Sequence, residues 1–360
     1  MSVIKNKYTT WPFFNEKKLL TIAGPCSAET EDQVYEIARK IAETGVKIFR
    51  AGVWKPRTRP GSFEGVGKEA LPWIKKATRD FGLKSTVEVA NRQHVLDALE
   101  AGIDILWIGA RTTVNPFAVQ EIAETIKGTD IPVLVKNPVN PDVDLWIGAI
   151  ERLENAGITR IGAVHRGVSQ FNKSVYRNRP EWEMAIELKK QRPDLLLICD
   201  PSHITGKREL VPLVSQIALD LMFDGLMIET HITPEEAWSD ARQQITPETL
   251  KELLKELIVR DEFPHGIELS GFEDLRNTIN DIDNQLIGLL SQRMNIVNDI
   301  ARFKKEHNMS IFQENRWNQL LEEHLGYGAS KGLNREFIRK IFNTIHSESI
   351  ERQSSVLHNK

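Results

Sequence analysis

Six cations occupy one kind of place along this chain. Arg50 ends the β-rich run VKIFRAGV, with Lys55 and Arg57 just behind it. Arg111 ends ILWIGAR, Lys136 ends the apolar part of PVLVKNP, and Arg166 follows in RIGAVHRG. One cation at the end of a β-run is as readily a solvated rim charge as a binding group. Six that converge on one face need another account, because buried like charges repel unless anions neutralise them. The expected ligand is therefore a strongly anionic small molecule with more than one phosphate or carboxylate. A second set has metal-binding chemistry: Cys26 closes LLTIAGPCS, His203 follows LLLICD in DPSH, Glu229 ends GLMIETH, and Asp240 comes shortly after. A thiolate, an imidazole and two carboxylates suit one divalent ion of borderline character, such as Mn²⁺, Fe²⁺, Co²⁺ or Zn²⁺. Cys199 lies inside its apolar run and reads as a small buried hydrophobe.

Elements that bring these residues together can be read from the same runs. LLTIAGPCS, VKIFRAGV, LKSTVEVA, ILWIGAR, PVLVKNP, RIGAVHRG, LLLICDPSH and GLMIETH are apolar and β-branched, as strands buried on both faces should be. The segments between them are long enough for crossover helices. Eight βα units in about 240 residues predict an α/β fold, a (β/α)₈ TIM barrel whose functional residues collect at the C-terminal strand ends. A doubly wound open sheet is the competing architecture, but neither a GxGxxG nor a GxxxxGK[ST] run follows a strand.

No proline follows Pro264 in the remaining 96 residues. The expected division is a barrel over 1–260, a linker over 261–269 and a smaller all-α domain of three helices over 270–360. Ser270 with Glu273 reads as a capping box. From Leu275 an apolar 4-3 spacing passes through Ile279, Ile282, Leu286, Leu289, Ile296, Ile300 and Phe303, with Arg293 in the seam. A second helix is expected from about Gln313 to Leu325, stopping at Gly326, and a third from about Asn334 to Leu357. The long first helix cannot cover its seam alone, so this domain is expected to dimerise.

Bulk composition excludes several classes. Basic and acidic residues number 47 and 50, giving a net charge of −3, so no general attraction to nucleic acid or membrane is expected. Two cysteines make no disulfide framework, and the N-terminal residues lack the apolar core of a signal peptide; a reduced, cytoplasmic setting is expected.

GPCS, FRAGVWKPRT, GARTT, VKNP, HRG, DPSH and IETH, in this order over about residues 15–260, resemble 3-deoxy-D-arabino-heptulosonate 7-phosphate (DAHP) synthase. The resemblance implies condensation of phosphoenolpyruvate with erythrose 4-phosphate, and a metal held by Cys26, His203, Glu229 and Asp240. It places Arg50, Lys55, Arg111, Lys136 and Arg166 on phosphoenolpyruvate, with Lys55 also catalytic, and Arg57 and Thr58, helped by Arg111, on the aldose phosphate. The nearest competitor is 3-deoxy-manno-octulosonate 8-phosphate synthase, which acts on arabinose 5-phosphate; the KPRT segment favours the shorter sugar. The barrel is expected to begin after about 18 residues, leaving no room for the extra N-terminal regulatory domain of some relatives.

In the tail, Arg293 in an apolar seam either snorkels or meets an anion. Lys304, 11 residues on, returns to nearly the same face about 16 Å along the helix. Arg316 adds a cation from the second helix, and Ser349 and Gln353 are one turn apart on the third. Over about residues 268–357 this set resembles the all-helical chorismate mutase. That likeness implies that Arg276, Arg293, Lys304, Arg316, Ser349 and Gln353 bind chorismate. Arg293, Lys304 and Gln353 would be catalytic in its rearrangement to prephenate, and Arg276 would serve a partner's pocket. Gln313 and Trp317 depart from the family, which has acidic residues there near the substrate hydroxyl. A pure dimerisation module and an inactive ligand sensor are the alternatives to an active mutase. Feedback inhibition of the barrel by prephenate is expected because the pathway's first enzyme and this mutase share one chain.

Overall fold

The structure, a computed structural model, describes residues 19–57, 61–171, 174–260 and 269–358. The chain divides into two compact units between Phe263 and Pro264.

In the first unit eight strands close into a barrel in sequence order. They are β1 (Leu20–Gly24), β2 (Ile48–Arg50), β3 (Lys84–Val89), β4 (Ile105–Ile108), β5 (Val133–Lys136), β6 (Ile161–His165), β7 (Leu196–Cys199) and β8 (Gly225–Glu229). Every neighbour is parallel, and closure runs from β8 to β1 with Leu20 opposite Gly225 and Gly24 opposite Glu229. The helices are α1 (Glu31–Ala42), α2 (Leu71–Asp80), α3 (Arg92–Glu100), α4 (Ala110–Thr113), α5 (Pro116–Ile126), α6 (Val143–Asn155), α7 (Trp182–Gln191), α8 (Pro201–Thr205), α9 (Val211–Asp220) and α10 (Pro247–Glu256). Side-chain oxygens of Thr30, Asn91, Asn115, Asp142 and Asp200 accept the first free backbone N–H groups of α1, α3, α5, α6 and α8.

Strand side chains alternate, which sorts the core into two clusters. Ile22, Ile48, Trp107, Leu134, Val164, Ile198 and Met227 fill the barrel. Phe49, Leu106, Val135, Ala163, Leu197, Cys199 and Ile228 pack outward under the helices. Two residues beyond an inward residue is again inward. The same alternation therefore carries Arg50, Lys136, Arg166, Asp200 and Glu229 to the inside at the strand ends, and leaves Cys199 in the outer layer.

The second unit contains α11 (Ser270–Glu306), α12 (Glu314–Ser330) and α13 (Arg335–His358). Three details differ from the sequence reading. Leu269, not Ser270, holds the cap position of α11, and no side chain caps it. α12 runs through Gly326 to Ser330, because Gly328 lets Ile338 of α13 pack against its backbone; a Cβ there would lie 2.6 Å from Ile338 Cγ1. Finally, α11 buries Met294, Val297, Ala301 and Lys304 within the unit, a different face from the apolar seam. Ile279, Ile282, Leu286, Leu289, Ile296 and Ile300 are all exposed.

Candidate active sites

At the C-terminal strand ends a cavity of about 400 Å³ is lined by Lys55, Arg57, Arg111, Arg166, His203 and Asp240 among others. Arg50 and Lys136 lie deeper, nearly fully buried, and each has an acidic partner. Arg50 Nη2 is 3.0 Å from Glu229 Oε1, and Lys136 Nζ donates to Asp200 Oδ2 at 2.8 Å. Between them the buried Trp107 indole presents its ring to both cations, 5.1 Å from the Arg50 guanidinium carbon and 5.7 Å from Lys136 Nζ. Its N–H donates to Glu88 Oε2 at 3.0 Å. Arg166 is oriented by Asn178, whose Oδ1 accepts from Nη1 at 2.7 Å, and by Asn137, whose Oδ1 accepts its backbone N–H at 2.7 Å. Burial, then Arg177 and Arg111 nearby, lower its pKa to about 10 against the opposing pull of Asp200. Arg111 falls on the short helix α4 just after β4 rather than on the strand end itself. Arg57 Nε donates to Phe63 O at 2.8 Å. Thr58 lies outside the described residues.

Ligand atoms of Cys26, Glu229 and Asp240 all lie within 4.8 Å of one another. His203 adjoins this trio, with Nε2 3.7 Å from Glu229 Oε1. Its Nδ1 is 2.8 Å from Asp200 Oδ2, close enough for charge interaction though off the direction of a good hydrogen bond. The donor set fits a divalent cation: one sulfur, two carboxylates and one imidazole, with Glu229 Oε1 buried and accepting no hydrogen bond. Burial, with Glu229 and Asp240, pushes the Cys26 thiol up to about 12 although Lys55 Nζ stands 3.0 Å from its sulfur. Burial would raise Asp240 as well, but Arg177 and His203 outweigh it and hold the carboxyl below its ordinary range.

Several contributors lay outside the strand-end rule. Arg177 Nη1 donates to Asp240 Oδ1 at 2.9 Å and to Gln243 Oε1 at 2.7 Å, and Gln243 Nε2 donates to Glu229 Oε2 at 2.6 Å. Gln244 Oε1 accepts the Cys26 N–H at 2.9 Å. These residues sit in loops, where no periodicity marks them. Asp200 and Asn137 were readable, since both stand in the DPSH and VKNP segments already singled out.

In the helical unit four of the six named residues converge. Arg293 Nη1 donates to Ser349 Oγ at 2.7 Å, Gln353 Nε2 to Ser349 O at 3.2 Å, and Lys304 Nζ to Ile311 O at 2.6 Å. Burial lowers the pKa of both Arg293 and Lys304. Arg316 does not join them: it is exposed, with Nη1 3.5 Å from Gln319 Oε1 on its own helix. Arg276 pairs with Glu273 at 2.8 Å and lies over the Phe272 ring, more than four turns from Arg293.

A closed parallel barrel with cations gathered around one strand-end cavity defines an enzyme of anionic small molecules. More particularly, the chain belongs to the DAHP synthetase I family, whose model matches residues 13–262, and a chorismate mutase type II model matches residues 275–354. The protein is a bifunctional enzyme of the shikimate route, joining a condensation and a rearrangement. It is similar to phospho-2-dehydro-3-deoxyheptonate aldolase of Thermotoga maritima, 33% identical over 66% of this chain and 68% of that one. The crystal structure of a Thermotoga maritima protein of that name superimposes with a TM-score of 0.61 at 32% identity, over 66% of this chain and 68% of the other. A 2-dehydro-3-deoxyphosphooctonate aldolase of Dechloromonas aromatica is 27% identical over 74% of this chain and 96% of its own. Among the described residues no helix is long and apolar enough to cross a membrane.

Proposed function

We propose that the barrel condenses phosphoenolpyruvate with erythrose 4-phosphate and water, giving DAHP and phosphate. The observation that carries this reading is the set of cations around one cavity beside the Cys26, Glu229 and Asp240 cluster. Arg50, Lys55, Arg111, Lys136 and Arg166 hold the carboxylate and phosphate of phosphoenolpyruvate, and Arg57, Thr58 and Arg111 hold the sugar phosphate. These contacts align two anions that would otherwise repel, an effect of orientation as much as of charge. Cys26, His203, Glu229 and Asp240 would hold one divalent ion, which supplies Lewis acidity to the aldehyde when bound. Lys55, whose Nζ lies 3.0 Å from the Cys26 sulfur, would be the catalytic group beside the metal ligands, donating a proton to the aldehyde oxygen as the carbon–carbon bond forms.

The helical unit rearranges chorismate to prephenate. This reaction needs no nucleophile; Arg293 holds a carboxylate, while Lys304 and Gln353 face the ether oxygen as the C–O bond breaks. A second copy covers the exposed seam of α11, and Arg276 serves the partner's pocket. Prephenate bound by Arg293 and Lys304 inhibits the synthase, with a coupling of about 1–3 kcal/mol. A cytoplasmic location suits both activities.

Likeness to the octulosonate enzyme keeps one alternative in view, a barrel acting on arabinose 5-phosphate. Side-by-side kcat/KM measurements decide: erythrose 4-phosphate should be used far better, and preference for the pentose would reassign the barrel. Chelation should abolish the condensation and spare the rearrangement; full synthase activity in metal-free Cys26→Ala protein would remove the metal role. Prephenate should inhibit the wild-type synthase and not Arg293→Ala, whose basal synthase rate stays unchanged.

A further inference from the structure

In the helical unit two buried side-chain atoms have no hydrogen-bond partner among the described residues, Gln353 Oε1 and His346 Nε2. His346, Ser349 and Gln353 are spaced three and four residues apart on α13 and so share one face. Gln353 is 8% exposed, and Ser349 is already joined to Arg293. His346 therefore extends the polar row that the proposed chorismate site uses. Its ring is held in a fixed plane. The imidazole stacks on the Trp317 indole of α12, with centroids 3.8 Å and planes 10° apart, and the Phe312 ring stands 6.0 Å away. The stack sets the plane of the ring, and within that plane the buried nitrogen's hydrogen bond is left unmade.

The charged groups that face His346 are Arg293 and Lys304 of α11; α12 and the α11–α12 connection present rings that do not ionise. Burial first, and then these two cations, keep the imidazole neutral below its ordinary pKa. The pocket thus combines cations for carboxylates with one neutral, directional nitrogen. A neutral imidazole pairs with a hydroxyl as donor or acceptor. Trp317 cannot accept a hydrogen bond from a hydroxyl, since an indole only donates.

We propose that His346 is a further ligand-contacting residue of the helical site: its Nε2, held in place by the stack on Trp317, hydrogen-bonds the ring hydroxyl of a cyclic dicarboxylate. This rests on the reading of the helical unit as a chorismate site. It assigns His346 a specificity role, separating hydroxylated from hydroxyl-free ligands of the same charge.

The test uses the full chain, with chorismate and a chorismate analogue lacking the ring hydroxyl as probes. His346→Ala should raise KM for chorismate about 3- to 10-fold, the loss of one hydrogen bond, and leave analogue binding unchanged. His346→Gln, which keeps a polar tip, should recover part of the loss with an unaltered melting temperature. The wild-type profile of KM against pH should show an inflection below about 6.5 that is absent from His346→Gln. A purely structural histidine would move none of these selectively. Equal loss of chorismate and analogue binding, or no loss in His346→Ala while Arg293→Ala abolishes binding, would overturn the assignment. A wild-type chain that neither binds nor converts chorismate would instead remove the reading of the unit and take this proposal with it.

Discussion

Asp200 is the residue whose loss should disturb the barrel site most without touching a substrate. It is fully buried at the start of α8, where Oδ2 accepts from Lys136 Nζ at 2.8 Å and faces His203 Nδ1 at 2.8 Å, while Oδ1 accepts the His203 N–H at 3.0 Å. Burial pushes its carboxyl up, but His203 and Lys136 outweigh burial and hold it well below the ordinary range. Asp200→Asn preserves the shape and can keep the backbone cap, yet leaves Lys136 as a buried charge without its counter-charge. Removing one partner of a buried pair costs about 3–5 kcal/mol. At about 2–4 °C per kcal/mol for a unit of this size, the melting temperature should fall by about 6–20 °C. Loss of the carboxylate charge facing His203 Nδ1, an outer-shell partner of a metal ligand, should also weaken divalent-ion affinity about 10- to 100-fold. Thermal melts with and without phosphoenolpyruvate, and calorimetric titration with Mn²⁺, measure both effects. Phosphoenolpyruvate should restore part of the stability, because its anionic groups neutralise Lys136. A melting temperature within about 2 °C of wild type, together with unchanged Mn²⁺ affinity, would refute the reasoning.

Gly109→Ala should disturb the same site through packing: its Cβ would stand 2.0 Å from Glu88 Oε1, so Glu88 must leave the Trp107 N–H. A stability loss of about 1–3 kcal/mol with a raised KM for phosphoenolpyruvate is expected, read by denaturant melts and steady-state kinetics. Asp104 accepts from Ser85 N and Oγ and from Lys84 and Lys75, and these contacts hold its carboxyl low against the effect of burial. A depressed folded-state pKa stabilises above the unfolded value of about 3.8 and is lost as pH falls through the folded one. Asp104→Asn should therefore cost about 1 kcal/mol at pH 7, and the gap from wild type should close below about pH 4 in denaturant melts. For the dimer proposed through the helical unit, Ile282→Asp on the exposed seam should shift the chain from dimer to monomer in sedimentation and reduce mutase activity; an unchanged dimer would place the interface elsewhere, and a monomeric wild type would remove the proposal.

Much of the protein was legible from local patterns alone. Eight apolar runs spaced for crossovers point to a parallel sheet, and once it closes the period of two puts Arg50, Lys136, Arg166 and Glu229 on the face of the residues that fill the barrel. The loss of proline after Pro264 marked the change to helix, because proline removes a donor that long helices need. Where helices end was less legible. Gly326 reads as a stop, but α12 continues to Ser330, because close packing at Gly328 against Ile338 outweighs the weak local preference of glycine.

Only the tertiary structure decided which polar groups meet. Arg177, Asn178, Gln243 and Gln244 lie in loops without a repeating pattern, and their contacts to Asp240, Arg166, Glu229 and Cys26 span 12 to 218 residues of chain. The Trp317–His346 stack is of the same kind, formed by two helices whose relative rotation no single helix encodes. Spacing along a strand or helix reveals the face a side chain occupies, since the backbone period is local. The group it faces depends on how separate elements pack, and that is a property of the folded chain as a whole.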